Sequence, residues 1–235
     1  MNRKQPIKYN IYTKKNIAKF FDPFVFSNLN DIFLDSVNRI KLVLVFWDIS
    51  SFSDFCQEQK ENDSIIMYLL RNFYDLSSRI IKDHNGIIDK FIGDGIFAYF
   101  GYQTSDLNQA ACDAVHTALI LREEFRQIKK NSVNELLKID GTVSKVPIDL
   151  KCAIHVGEVL FGCWKSAYRT QVTSVGDEVN FCSRLEGISK KDQIIVSTKF
   201  NNIITKKFKT ERFLLPAKLQ THDRVKYAYK VISTK

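Results

Sequence analysis

Gly86–Gly101 reads GIIDKFIGDGIFAYFG. Its two arms, Ile87–Ile92 and Ile96–Phe100, are rich in β-branched and aromatic residues, and Gly93-Asp94-Gly95 between them is turn chemistry. The stretch predicts a β-hairpin, so an antiparallel pair is the seed of the fold. Just upstream, Asp63 to His84 carries Ile66, Leu69, Leu70, Phe73, Leu76 and Ile80 at helical spacing, and Asn85-Gly86 supplies the stop. Before it, Lys41–Asp48 (KLVLVFWD) is a continuous apolar run closed by a charge, the pattern of a buried strand. Downstream, Ser105 can cap a long helix whose buried stripe is Leu107, Ala111, Ala114, Ala118, Leu121 and Phe125. Val146–His155, Glu158–Gly162, Gln171–Val175, Gln193–Ser197 and Val225–Ile232 read as further strands, and Gly176–Ser189 as a short helix. Residues 1–40 are polar, aromatic and basic, a lead-in with helices expected near Lys15–Phe20 and from Pro23 into Leu34. Strands and helices mix without strict alternation. That favours one α+β sandwich, with helices on one face of the sheet, over a doubly wound fold.

The chain has 235 residues, 45% of them apolar and 26% charged, enough to bury a sizeable core; disorder, collagen and fibre are excluded. No apolar run approaches the ~18 residues of a membrane helix, and no apolar stretch follows the first charges, so neither an integral membrane segment nor secretion is expected. Cys56, Cys112, Cys152, Cys163 and Cys182 are scattered, with no Cys-x-x-Cys pair. They argue against a disulfide frame or a zinc site and for a reducing, cytoplasmic location. The net charge of +9 is concentrated: Lys190–Lys235 holds twelve Lys/Arg against three Asp/Glu, so residues 1–189 balance near zero. Such a basic tail can attract nucleic acid, an anionic membrane or a polyphosphate, or it can be a solvated surface.

Three motifs carry chemistry. In Phe46-Trp47-Asp48-Ile49-Ser50-Ser51-Phe52, Asp48 stands at the exit of a buried strand. There it suits either a hard cation or plain turn chemistry. In Lys90-Phe91-Ile92-Gly93-Asp94-Gly95, Asp94 is at the hairpin apex, and Lys90 projects from the same strand face toward the same end. A lysine on a buried strand needs an acceptor. In Val175–Leu185 (VGDEVNFCSRL), Val179, Cys182 and Leu185 form one helical face and Asn180 and Arg184 another. An amide and a guanidinium so placed can grip one polar ligand and meet phosphate charge, or can form a solvated pair.

Together, F-x-D-I-x-x-F, K-x-x-G-D-G and G-D-x-V-N-x-x-S-R-L resemble the catalytic domain of the class III nucleotidyl cyclases, over about Leu42 to Val231. Ile17–Asn28 (IAKFFDPFVFSN) is more loosely similar to the segment that often precedes that domain. The resemblance implies a ferredoxin-like βαββαβ core with added strands and helices, in a domain spanning 41–235. It implies a head-to-tail homodimer with two shared clefts. Asp48, Asp94 and the Ile49 carbonyl would hold two divalent cations, Mg2+ or Mn2+, and Arg184 and Asn180 of the opposite protomer would meet the α-phosphate and the ribose. The reaction implied is attack of the ribose 3′-oxygen on the α-phosphorus with loss of pyrophosphate. Phe52, Gly93 and Lys218 join the substrate-contacting set by the same resemblance.

Base choice in the family rests on two positions that match Lys90 and Thr173. Lysine donates to adenine N1, and a threonine hydroxyl can accept from the 6-amino group, so the pair resembles the Thr-bearing adenylate cyclases with ATP as substrate. Some positions depart from the pattern. Ser51 stands where glycine is common, Gly162–Ser166 is poor in glycine, Val172 replaces a frequent aromatic residue, and Leu219 follows Lys218 where glycine is usual. The alternatives are a guanylate or pyrimidine cyclase, or an inactive cyclase-like dimerisation module. Such inactive domains usually lack a metal aspartate, the asparagine or the arginine, and all are present here. The ferredoxin-like fold also hosts RNA-binding modules, but Phe91 and Phe97 read as core residues and not as a stacking platform, so no nucleic-acid partner is expected.

Overall fold

The structure, a computed structural model, describes residues 37–104, 106–139, 144–220 and 225–235, together with 22, 25 and 27. In chain order the elements are β1 (Val37–Ser50), α1 (Phe52–Glu58), α2 (Asp63–Asp83), β2 (Ile87–Ile92), β3 (Gly95–Phe100) and α3 (Leu107–Ile139). There follow β4 (Asp149–Lys165), β5 (Thr170–Val175), α4 (Asp177–Glu186), β6 (Ile194–Ser197), α5 (Thr198–Ile204), β7 (Phe208–Leu214) and β8 (Tyr227–Thr234). The strands form one sheet in the order β2-β3-β1-β4-β6-β8-β7, with β5 paired to β4 off this path. Its first four strands, with α2 and α3, are the expected βαββαβ core. β1 pairs antiparallel with both β3 and β4 at its centre.

The two faces of the sheet follow from strand alternation. Val43, Val45, Trp47 and Ile49 of β1 point to one side, where they meet Leu69 and Phe73 of α2, Ala114, Ala118, Leu121 and Phe125 of α3, and Phe200 of α5. Leu42 and Leu44 point to the other, with Phe97, Tyr99, Phe161 and Cys182. α4 therefore covers the face opposite α2 and α3, through Phe181 and Leu185 against Ala153, Ile195 and Ala228. This corrects the expectation of helices on one face. Cys182 and Leu185 of the expected α4 stripe are buried, but Phe181 joins them while Val179 is only half-buried, and pattern alone does not say which side of a sheet a helix meets.

Other details differ from expectation. Val146–His155 and Glu158–Gly162 join in one 17-residue strand, β4. Gly157 does not break it: it pairs with Leu42, and a Cβ there would lie 2.5–2.7 Å from the side chain of Glu178. Ser105 and the N-terminal helices near Lys15–Phe20 and from Pro23 into Leu34 lie outside the described residues, apart from the isolated positions named above. The described cap of α3 is Asp106, whose Oδ1 accepts from the backbone N–H groups of Asn108 (2.9 Å) and Gln109 (3.2 Å). The basic stretch from Lys190 is no appendage, since it builds β6, α5, β7 and β8 of the sheet.

Candidate active site

Asp48 stands half-buried near the end of β1, between the buried Trp47 and Ile49, and Asp94 sits in the β2–β3 turn. They meet because β1 and β3 are neighbours in the sheet, with Trp47 opposite Ile96. The approach depends on Gly95, where a Cβ would stand 3.0 Å from the Trp47 carbonyl and 3.3 Å from Asp48 Oδ1. Gly93, with φ 59°, completes the turn, and its carbonyl accepts a hydrogen bond from the Tyr74 hydroxyl of α2. Burial and the neighbouring charge of Asp48 push the Asp94 carboxyl up to about 6.

Asp48 and Asp94 line an open cleft of about 460 Å³ with Ile49, Ser51 and Phe52 on one side and Lys151, Lys190 and Lys191 on the other. Ser51 takes φ 59°, the left-handed region where glycine is at ease, which is why a glycine would be common there. Lys151 is directly opposite Asp48 in the β1–β4 register. Its ammonium lies 2.9 Å from Asp48 Oδ2 and 2.7 Å from Glu186 Oε1 at the end of α4. Sequence reading missed Lys151, because only the register of two strands about a hundred residues apart puts it on Asp48.

The donor set fits a hard divalent cation. Two carboxylates share the site, with the Asp94 carboxyl pushed up to about 6, and a lysine ammonium stands as counter-charge beside Asp48. Among the described residues there is no cluster of three or more His, Cys, Asp or Glu. A magnesium-type site does not need one, since one or two carboxylates with substrate phosphates and water complete its shell.

Lys90 and Thr173 form a second group, away from the lining of that cleft. Lys90 on β2 donates to Thr173 Oγ1 on β5 at 3.1 Å. Beneath them is Asp89, unremarked in the sequence, with no exposed side-chain surface. Its carboxylate accepts from Thr173 Oγ1 at 2.7 and 2.9 Å and from the Ser174 N–H at 3.2 Å, and pairs with Lys90 at 3.1 Å. Burial pushes the Asp89 carboxyl up, against the pull of Lys90 and these hydrogen bonds.

Asn180 and Arg184 stand on the exposed face of α4, with Arg184 Nε donating to the Asn180 carbonyl at 3.4 Å. They are not among the residues lining the Asp48–Asp94 cleft. Lys218 is exposed on a short 3-10 turn, Ala217–Leu219, and also lies outside that lining. Each chain thus carries a carboxylate cleft and, apart from it, a lysine–threonine pair and an amide–guanidinium pair.

α4 is seated by a further set that the sequence did not disclose. Glu178 fills the space above Gly157 and accepts from Lys199 Nζ at 3.0 Å. Its other oxygen is 2.5 Å from Nε2 of the buried His155, whose Nδ1 is 2.7 Å from Ser197 Oγ.

Residues 36–226 match the family model described as "Adenylate and Guanylate cyclase catalytic domain". Adenylate cyclase 1 of Rhizobium meliloti (strain 1021) is 28% identical over 152 residues, which cover 65% of this chain and 21% of that protein. The adenylate cyclase of Anabaena cylindrica is 24% identical over 173 residues, 74% of this chain and 32% of that protein. The chain therefore spans between a fifth and a third of the length of these relatives. Among solved structures, the adenylyl cyclase CyaB from P. aeruginosa is 25% identical with a TM-score of 0.74, covering 86% of this chain and 98% of that one. The guanylate cyclase domain of RhGC from Catenaria anguillulae, solved with GTP, has the same fold, at 23% identity and a TM-score of 0.66 over 86% of this chain and 100% of that one. The match covers most of the chain, from the start of β1 into the last strand pair, and the chain belongs to the family of adenylate and guanylate cyclase catalytic domains.

Proposed function

We propose that this domain converts ATP to 3′,5′-cyclic AMP and pyrophosphate, at sites shared between two copies of the chain. The observation that carries the adenine assignment is the Lys90–Thr173 pair, 3.1 Å apart across two strands. An ammonium that donates, beside a hydroxyl that can accept, matches N1 and the 6-amino group of adenine. Asp48, Asp94 and the Ile49 carbonyl hold two divalent cations, Mg2+ or Mn2+, on the cleft side. When bound, these ions lower the pKa of the ribose 3′-hydroxyl and neutralise the triphosphate.

The protein's own groups do the rest by position and charge. Lys151 faces the same cleft and meets phosphate charge once it is drawn off Asp48. Phe52 lines the cleft beside the phosphates, and Gly93 sits in the turn that carries Asp94 to them. Arg184 stabilises the α-phosphate and Asn180 orients the ribose, so that the 3′-oxygen lies in line with the phosphorus. Lys218 reaches the terminal phosphates. The separation of Asn180 and Arg184 from the carboxylate cleft supports a second copy as their source, in a homodimer. Among the described residues, no helix is long and apolar enough to cross a membrane.

The test is incubation of the purified protein with ATP, GTP, CTP and UTP in turn, with Mn2+ or Mg2+, and identification of the cyclic product. Cyclic AMP as the main product supports the reading. A cyclic product from another base alone overturns the adenine assignment, and no product from any of the four overturns the activity.

A further inference from the structure

Asp89 is the extra residue of a β-bulge. Ile88 pairs with Ala98 and Lys90 with Phe97, so Asp89 has no partner of its own on β3. A bulge re-aims side chains that strict alternation would send to opposite faces. Here it turns both Asp89 and Lys90 onto one neighbour, Thr173.

The hydrogen bonds there leave little freedom. Three donors converge on the Asp89 carboxylate: the Thr173 hydroxyl, the Lys90 ammonium and the Ser174 N–H. A group met only by donors, one of them an ammonium, acts as an acceptor toward each of them. The Thr173 proton therefore points at Asp89, 2.7 Å away, in preference to the neutral Ser174 carbonyl at 3.4 Å. With its proton committed and one lone pair taken by Lys90, Thr173 has only a lone pair left to offer outward.

We infer that Asp89 is a specificity-determining residue: it locks the Thr173 hydroxyl as an acceptor, so that the base pocket takes a 6-amino purine and repels a 6-oxo purine. Without Asp89, the hydroxyl would rotate and serve either base. The inference rests on the proposed role of Lys90 and Thr173 in reading the base.

The experiment separates base reading from turnover by measuring binding of 3′-deoxy-ATP and 3′-deoxy-ITP, which cannot cyclise, to the Mn2+-loaded protein. Hypoxanthine differs from adenine in its 6-oxo group and N1–H. The wild type should favour the adenine nucleotide, and Asp89→Leu should reduce that preference about tenfold, the effect of one hydrogen bond. Thr173→Val should reduce it by a similar factor, and the double variant by no more than either alone, because Asp89 acts through Thr173. Additive losses, or an unchanged preference in Asp89→Leu, overturn the inference. Should Asp89→Leu fail to fold, Thr173→Val decides: an undiminished preference there is fatal. Failure of the cyclase reading would instead appear as absence of cyclic AMP from ATP, whatever the binding ratio.

Discussion

Asp94 shows how far one side chain can be driven by its neighbours. Its carboxyl is raised to about 6 by burial and by Asp48, so folding opposes its charge between its ordinary value and 6. The sign follows directly. The native state holds the proton more tightly than the unfolded chain, and the stability due to this group is lost as pH rises through that window. Asp94→Asn removes the penalty, so the metal-free variant should melt no lower than wild type at pH 7, while cyclase activity falls at least a hundredfold. Thermal shift and a turnover assay check both. On the proposed metal role, a cation that binds below about pH 6 must displace the Asp94 proton. Mn2+ affinity should therefore be flat above pH 6 and fall by up to about tenfold per unit below it, as one proton per ion requires. Calorimetric titration across pH 5 to 8 tests this, and an affinity independent of pH would contradict it.

At the scale of elements, α4 is placed by the contact between Gly157 and Glu178. Gly157→Ala would put a methyl group 2.5–2.7 Å from the Glu178 side chain and displace the helix that carries Asn180 and Arg184. Turnover should fall about tenfold to a hundredfold, because a shift near 1 Å is enough to spoil alignment. Mn2+ binding should persist, since its carboxylates are on β1 and the hairpin; losing both together would mean a general collapse. None of this seat was visible in the sequence, although Gly157 and Glu178 were in plain view. The elements that could be read were those whose signal is local: the period of α2, the apolar run of β1, and the turn of the hairpin. Asp48, Asp94, Asn180 and Arg184 could be proposed from the sequence because short motifs hold them. Asp89 and Lys151 were not. The first depends on a bulge and a threonine 84 positions away, and the second on the register between β1 and β4. β7 and α5 also escaped, as short elements with few apolar residues in phase.

For the molecule as a whole, the proposed reading divides the functional groups into separate sets, so that no chain would be complete by itself. Asp94→Ala and Arg184→Ala homodimers should each be inactive, whereas their heterodimer keeps one intact site. Mixing the two under conditions of subunit exchange should restore part of the activity, up to about a quarter of wild type if pairing is random and each site works alone. Heterodimers proven by mass spectrometry yet inactive would refute the shared geometry. A different consequence lies in the Asp48–Lys151–Glu186 bridge. An ammonium between two carboxylates, 2.9 and 2.7 Å away, offsets part of the cleft's negative charge from within the chain. On the proposed metal role an order of assembly follows: the domain should fold first and be loaded afterwards, unlike small domains in which the ion is the keystone. Protein stripped with EDTA should keep its circular dichroism spectrum and cooperative melting while losing all turnover, and added Mn2+ should restore activity with no refolding step.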